Sequence, residues 1–283
     1  MKLFDRLANG WKLGKTSLTT IKENPSLMVF PLISGFSLLL VSISFFGTGY
    51  IFFGKDILAL ANDETAVTSL NVVMYVMAFL FYLINYFVIV FFNVGLVYCA
   101  KNILEGREAT VRDGVRFAQS RMGSILAWSV LAATVGLILK SIQERAGAIG
   151  VIITGLIGVV WGIATFFVIP VVAFENVSPI EAVKKSALIM KEKWGESIGA
   201  NFSFAIFTLL GIFVIVLPIG FFLGATVHPI AGIVAAVLAF LLVQTAVSSA
   251  NMVFLAAAYQ HVNGESTGNF DSEILDEVFI PKK

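Results

Sequence analysis

The sequence predicts an all-α polytopic membrane protein, with six transmembrane helices, interfacial amphipathic helices and a parallel repeat of two-span units. Three observations carry the prediction. The 283 residues are 58% hydrophobic and 13% charged, where a soluble domain carries about 25% charged residues, and the mean hydropathy is +0.91. Six runs, near residues 29–53, 70–100, 125–139, 147–174, 198–223 and 230–259, contain no Asp, Glu, Lys or Arg. The basic residues are gathered in alternate connections between those runs. Residues 1–262 are therefore expected to form one six-span domain and residues 263–283 an acidic tail.

Residues 1–24 place Leu3, Leu7, Trp11, Leu18 and Ile21 near one helical face, with Lys2, Arg6, Lys12, Lys15 and Lys22 largely elsewhere. That pattern suits a helix in the headgroup layer. Asn24-Pro25 ends it, because the residue before proline avoids the α region. The first long apolar run begins near Leu27, too late for the core of a signal peptide, and is read as a retained span. Its 25 residues from Val29 to Phe53, at about 1.5 Å each, exceed the roughly 30 Å of hydrocarbon.

A polar loop over residues 54–68 leads to the second span, long enough to tilt or project. Residues 101–123 then form a second surface helix. Thr110 and Asp113 have capping-box spacing, Val111, Val115, Ala118 and Met122 make an apolar stripe, and Arg112, Arg116 and Arg121 supply charge. The third span, the shortest, turns back through Lys140, Glu144 and Arg145 into the fourth, which ends near Pro170. A third surface helix follows. Ser178 is its N-cap, Pro179 its first residue, and Glu181 completes the capping box. Ile180, Val183, Ala187, Met190 and Trp194 form its expected apolar face. Pro218 interrupts the fifth span, where it removes one backbone hydrogen bond. The tail beyond Asn263 is acidic enough to be solvated and mobile.

The two later surface helices align. Thr110-Val111-Arg112-Asp113-Gly114-Val115-Arg116 lies on Ser178-Pro179-Ile180-Glu181-Ala182-Val183-Lys184, and Thr16 to Lys22 offers a weaker third copy without the acid. Asn93 precedes Gly106 by thirteen residues, as Asn251 precedes Gly264. Two spans per unit give every copy the same orientation, hence parallel repeats about an axis along the membrane normal. Recurrent loop chemistry is the plainer alternative.

Arg112-Asp113-Gly114, the run Phe166-Phe167-Val168-Ile169-Pro170 and the stretch from Ser178 to Glu196 together resemble an uncharacterised family of prokaryotic six-span membrane proteins. That family is related to YciC-like proteins and to the membrane domain fused to some glycerophosphodiester phosphodiesterases. The resemblance implies a fold and a location, and no reaction.

Sixteen of the nineteen Lys and Arg fall on the side of the termini, and Lys55, Lys140 and Arg145 fall on the other. The positive-inside rule then puts both termini in the cytoplasm of a cell carrying the protein in its (inner) membrane.

Polar residues inside spans are costly unless paired, so they mark candidate sites. Tyr86 and Asn93 on the second span, Gln244, Ser248 and Asn251 on the sixth, and Thr154 and Thr165 on the fourth are candidates for a small polar cavity. Interhelical hydrogen bonding is the alternative reading. Arg112, Arg116, Arg121, Lys184, Lys185 and Lys191 are candidate contacts for anionic lipid headgroups. Gly158-x-x-x-Gly162 and the series Ala231, Ala235, Ala239 permit close helix approach, within the bundle or in a homo-oligomer. Cys99 is the single cysteine, and His228 and His261 fall on opposite sides, so neither catalysis nor a cofactor or metal is expected. The expected role is membrane organisation through anionic lipids, a homo-oligomer or an unidentified protein partner, with no nucleic acid. A permease or channel for a small solute or lipid is the alternative.

Overall fold

The computed structural model describes residues 3–53, 64–193 and 199–278. The described residues form α1 (Leu3–Glu23), a 3₁₀ turn (Pro25–Met28), α2 (Val29–Phe53), α3 (Glu64–Leu104), α4 (Val111–Ser120), α5 (Met122–Ala164) and α6 (Val168–Phe174). Then follow α7 (Pro179–Lys193), α8 (Gly199–Gly211), a π stretch (Ile212–Val216), α9 (Leu217–Thr226), α10 (Pro229–Val262) and α11 (Ser272–Val278). Among the described residues, six stretches are long and apolar enough to cross a membrane. Lys55, Asp56, Asp63 and Trp194 lie outside the described residues.

Span ends follow backbone chemistry more closely than side-chain polarity. The third span does not turn at Lys140–Arg145, because the helix continues to Gly147, whose φ of 54° and ψ of −136° reverse the chain. Trp128 and Trp161 then stack, with ring centroids 6.0 Å apart. A straight helix would hold them about 50 Å apart, so α5 is a hairpin of two arms. Only glycine takes such a positive φ without strain. In the fifth span a π stretch ends at Val216, two residues before Pro218, where the helix gives up one backbone hydrogen bond.

Burial is concentrated at one end of the bundle, here called the base. Val94, Leu96, Val97 and Ala100 of α3, Val168, Val171, Val172 and Ala173 of α6, and Val253 to Ala258 of α10 are buried in one core. Away from the base the spans expose Phe36, Phe46, Leu156, Val160, Phe221 and Ile233. The hairpin of α9 and α10 has its own small core of Val216, Ala239 and Val243. Gly232 there rests on Gly220 and Gly224 so closely that a β-carbon would fall 2.5 Å from the Gly220 carbonyl oxygen. Gly158 and Gly162, the spacing singled out for close packing, have nothing within 4 Å of an added β-carbon.

The three even-numbered spans meet one another at the base, and each carries the surface helix that begins another unit. Helix α4 packs on α3, α7 packs on α5 and α6, and α1 packs on α10 and α8. The first helix of the chain thereby closes the ring on the last span. This arrangement matches parallel two-span units. The weaker third copy does not hold, because Thr16 lies in the middle of α1 with its hydroxyl donating to the Lys12 carbonyl at 3.1 Å.

The buried faces of the surface helices match the expected ones only in part: Ile21 of α1 and Ala118 of α4 are buried, and Val111, Val115, Val183 and Met190 pack half-buried on the core, but other residues take the most buried positions. On α1 the buried residues are Asn9, Gly10, Leu13, Gly14, Ser17, Thr20 and Ile21, while Trp11 is exposed and stacked on Phe207. On α7 they are Ala182 and Ser186, with Ile180 exposed. Met122 of the α4 stripe belongs to α5 and is exposed. Small residues win these positions because close approach of helix backbones is what packs these helices. At the α3–α4 crossing a β-carbon on Gly114 would sit 2.7 Å from the Gly95 carbonyl oxygen and 2.5 Å from the Phe30 ring.

Candidate functional site

The C-terminal ends of α3 and α10 are built alike. Gly106 (φ 75°) and Gly264 (φ 72°) occupy the left-handed region. The N–H of the next residue, Arg107 or Glu265, donates at 2.8 Å to the carbonyl five residues back, of Asn102 or Gln260. The Gly106 and Gly264 N–H groups donate to Ile103 and His261 at 2.9 and 3.0 Å. Such a cap satisfies carbonyls that a helix end leaves free. The sequence spacing that pairs Asn93 with Asn251 thus marks a real structural correspondence.

These caps lower a set of charged groups onto the junction of the three spans. Lys101 pairs with Glu105, 3.7 Å away, and with Glu265, and its ammonium lies 4.9 Å from the centre of the Phe174 ring. Arg107 pairs with Glu105. Tyr259 donates its hydroxyl to Glu175 at 2.8 Å, and Lys185 of α7 pairs with the same carboxylate. The Phe174 and Tyr259 rings stack between them, 6.0 Å apart. Gln260 is wholly buried and donates to Glu105 at 3.3 Å. Its side-chain oxygen, Oε1, has no hydrogen-bond partner among the described residues.

Sequence reasoning missed this junction, whose partners lie up to 164 residues apart. It also made the tail mobile, and that is corrected. Phe270 and Leu275 are buried in the main core, and α11 packs on α1 and α10. Gly268 lies against the Leu104 carbonyl, and His261 pairs with Asp276 at 3.1 Å. Two apolar anchors in an acidic segment suffice to dock it, because full burial of one such side chain contributes about 1.5–3 kcal/mol.

The polar residues singled out inside the spans have different surroundings. Gln244 and Ser248 are exposed, and their neighbours Thr245 and Ser249 are buried in their place. Thr154 and Thr165 direct their hydroxyls to the Gly150 and Trp161 carbonyls of their own helix, at 2.7 and 2.8 Å. The Tyr86 hydroxyl lies beside Gly136 of α5. Asn93 and Asn251 are half-buried on two helices that pack together. Among the described residues neither side chain makes a hydrogen bond.

The basic residues form a collar around the base. Arg112, Arg116, Lys184, Lys185 and Lys191 are exposed, and Arg121 folds over the Phe117 ring at 5.6 Å. Of the six, Lys185 alone has an ion-pair partner among the described residues. Both capping boxes are present: Asp113 accepts from the Thr110 N–H at 3.0 Å, and Glu181 from the Ser178 N–H at 3.0 Å. The Thr110 hydroxyl and N–H hold the Asp113 carboxyl below the usual carboxylate range, and the Ser178 N–H and hydroxyl do the same for Glu181. No group of three or more His, Cys, Asp or Glu residues poised for a metal occurs among the described residues.

Residues 72–269 match the model of a family of unknown function, DUF6159. No curated protein and no solved structure matches the chain.

Proposed function

Because the chain belongs to the DUF6159 family, whose function is unknown, we propose its role from its own geometry: a non-enzymatic organiser of the membrane, contacting anionic lipid through the basal collar. The base lies in the cytoplasmic leaflet of the cell (inner) membrane, with both termini inside, as the sixteen-to-three division of Lys and Arg favours. Kinship with YciC-like proteins and with the phosphodiesterase-linked membrane domain belongs to the same proposal and rests on the motifs from Arg112 to Glu196.

One observation carries the reading: the even-numbered spans close on one another at the base with apolar side chains, while four collar cations, Arg112, Arg116, Lys184 and Lys191, are exposed without an ion-pair partner among the described residues. A closed apolar base suits a scaffold, and unpaired surface cations suit anionic headgroups. Asn93 and Asn251 favour a second reading, a path for a small solute between α3 and α10, since half-buried amides that make no hydrogen bond among the described residues are costly in a span. Purified protein in liposomes separates the two. The organiser retains anionic lipid through purification and releases no trapped solute. Solute release that Asn93→Leu abolishes would replace it with the permease.

A further inference from the structure

The three collar helices do not present the same chemistry outward. On α7, Ile180, Lys184, Leu188 and Lys191 fall within an arc of about 80° at 100° per residue. Ile180 is 60% exposed and Leu188 52%. Lys184 and Lys191 have no ion-pair partner among the described residues, whereas Lys185, on the flank of the arc, is held by Glu175. The opposite face fixes the helix in rotation: Ala182 and Ser186 are buried, and the Ser186 hydroxyl accepts the Phe167 N–H at 2.9 Å.

Helix α4 differs. Its exposed residues are Arg112, Asp113, Arg116, Gln119 and Ser120, with no large apolar side chain among them. Among the side chains of α1 that the structure describes, residues 8–23, the exposed aromatic is Trp11, already stacked on Phe207. Large aliphatic side chains interleaved with free cations match an acyl-phosphate boundary, because each class of side chain meets its complement within one turn of helix. A water-facing helix gains nothing from Ile180 and Leu188 in those positions.

We propose that the outward face of α7 is the anionic-phospholipid site of the collar, with Lys184 and Lys191 on lipid phosphates and Ile180 and Leu188 among the upper acyl carbons. The α4 face stays in water. This rests on the lipid-contact reading above and narrows it to one helix and four residues.

The test uses the full-length protein in liposomes containing brominated phosphatidylglycerol. A bimane label at Leu188→Cys is expected to be quenched by the brominated lipid, and one at Gln119→Cys by aqueous iodide. Cys99 is buried and stays unlabelled. Phosphatidylglycerol retained through purification is expected to fall about fivefold for each of Lys184→Gln and Lys191→Gln, and to be unchanged in Lys185→Gln. A Leu188→Cys label that responds like Gln119→Cys, or equal retention in all three lysine variants, overturns the proposal. Solute release with the lipid results intact would instead count against the organiser reading alone.

Discussion

Tyr259, near the end of the sixth span, donates its hydroxyl to Glu175, which follows the fourth, at 2.8 Å. Lys185 of α7 approaches the other oxygen of that carboxylate. One acid thus ties two spans and a surface helix together. Tyr259→Phe keeps the ring against Phe174 and removes the hydrogen bond alone. Bonds to charged groups contribute about 1.5–3 kcal/mol, so the variant is expected to unfold several degrees earlier in detergent, monitored by tryptophan fluorescence. An unchanged midpoint would show that Lys185 alone holds Glu175.

The Gly232 contact sets the spacing of the α9–α10 hairpin. Gly232→Val forces its β-carbon into the Gly220 backbone, and overpacking of this kind costs about 1–3 kcal/mol. Gly158→Ala, with open space around it, is expected to leave the thermal midpoint where it is.

Leu275 is wholly buried although it lies in the acidic C-terminal segment. Leu275→Ala is expected to destabilise the base by about 2–5 kcal/mol. It should also open the segment to limited proteolysis near Asp271. A tail free in solution would give neither result.

The capping boxes give a pH dependence with a definite sign. The carboxyls of Asp113 and Glu181 are held below their ordinary values in the folded chain. Their contribution is present above the unfolded value, about 4, and is lost as pH falls through the lower folded one. The double variant D113N/E181Q is expected to show a shallower loss of thermal stability below about pH 4. Equal slopes would remove the caps from the account.

The assignment of sides is tested by thiol labelling of intact cells. Arg145→Cys is expected to react from outside, and Arg112→Cys only after the membrane is permeabilised. Cys99 is buried and contributes no background. Reaction at Arg112→Cys in intact cells would invert the orientation.

The helix that carries the first span, Val29–Phe53, coincides with the uncharged run 29–53, and the Ser178–Glu181 cap was legible with it. Those features depend on neighbours within a few positions. The pairing of Asn93 with Asn251 was legible as a spacing, and it led to two identical helix ends at Gly106 and Gly264. The Gly147 reversal was hidden, because Lys140 and Glu144 imitate a turn while the backbone bonds carry the helix past them. The polar stripe failed at Gln244 and Ser248, since rotation of α10 about its axis is set by packing against α3 and α9.

Composition and local hydrogen bonding were enough to write down six crossings, three surface helices and their starting points. The tertiary structure decided which face of each surface helix is covered, where the third span ends, how the acidic segment docks and what Glu175 binds. The reason is physical. Apolar content measures transfer out of water, and every span satisfies that demand equally well against lipid or protein. Choosing among neighbours falls to shape, so Gly14, Gly114, Ala182, Ser186 and Gly232, nearly silent in a hydropathy pattern, fix the arrangement.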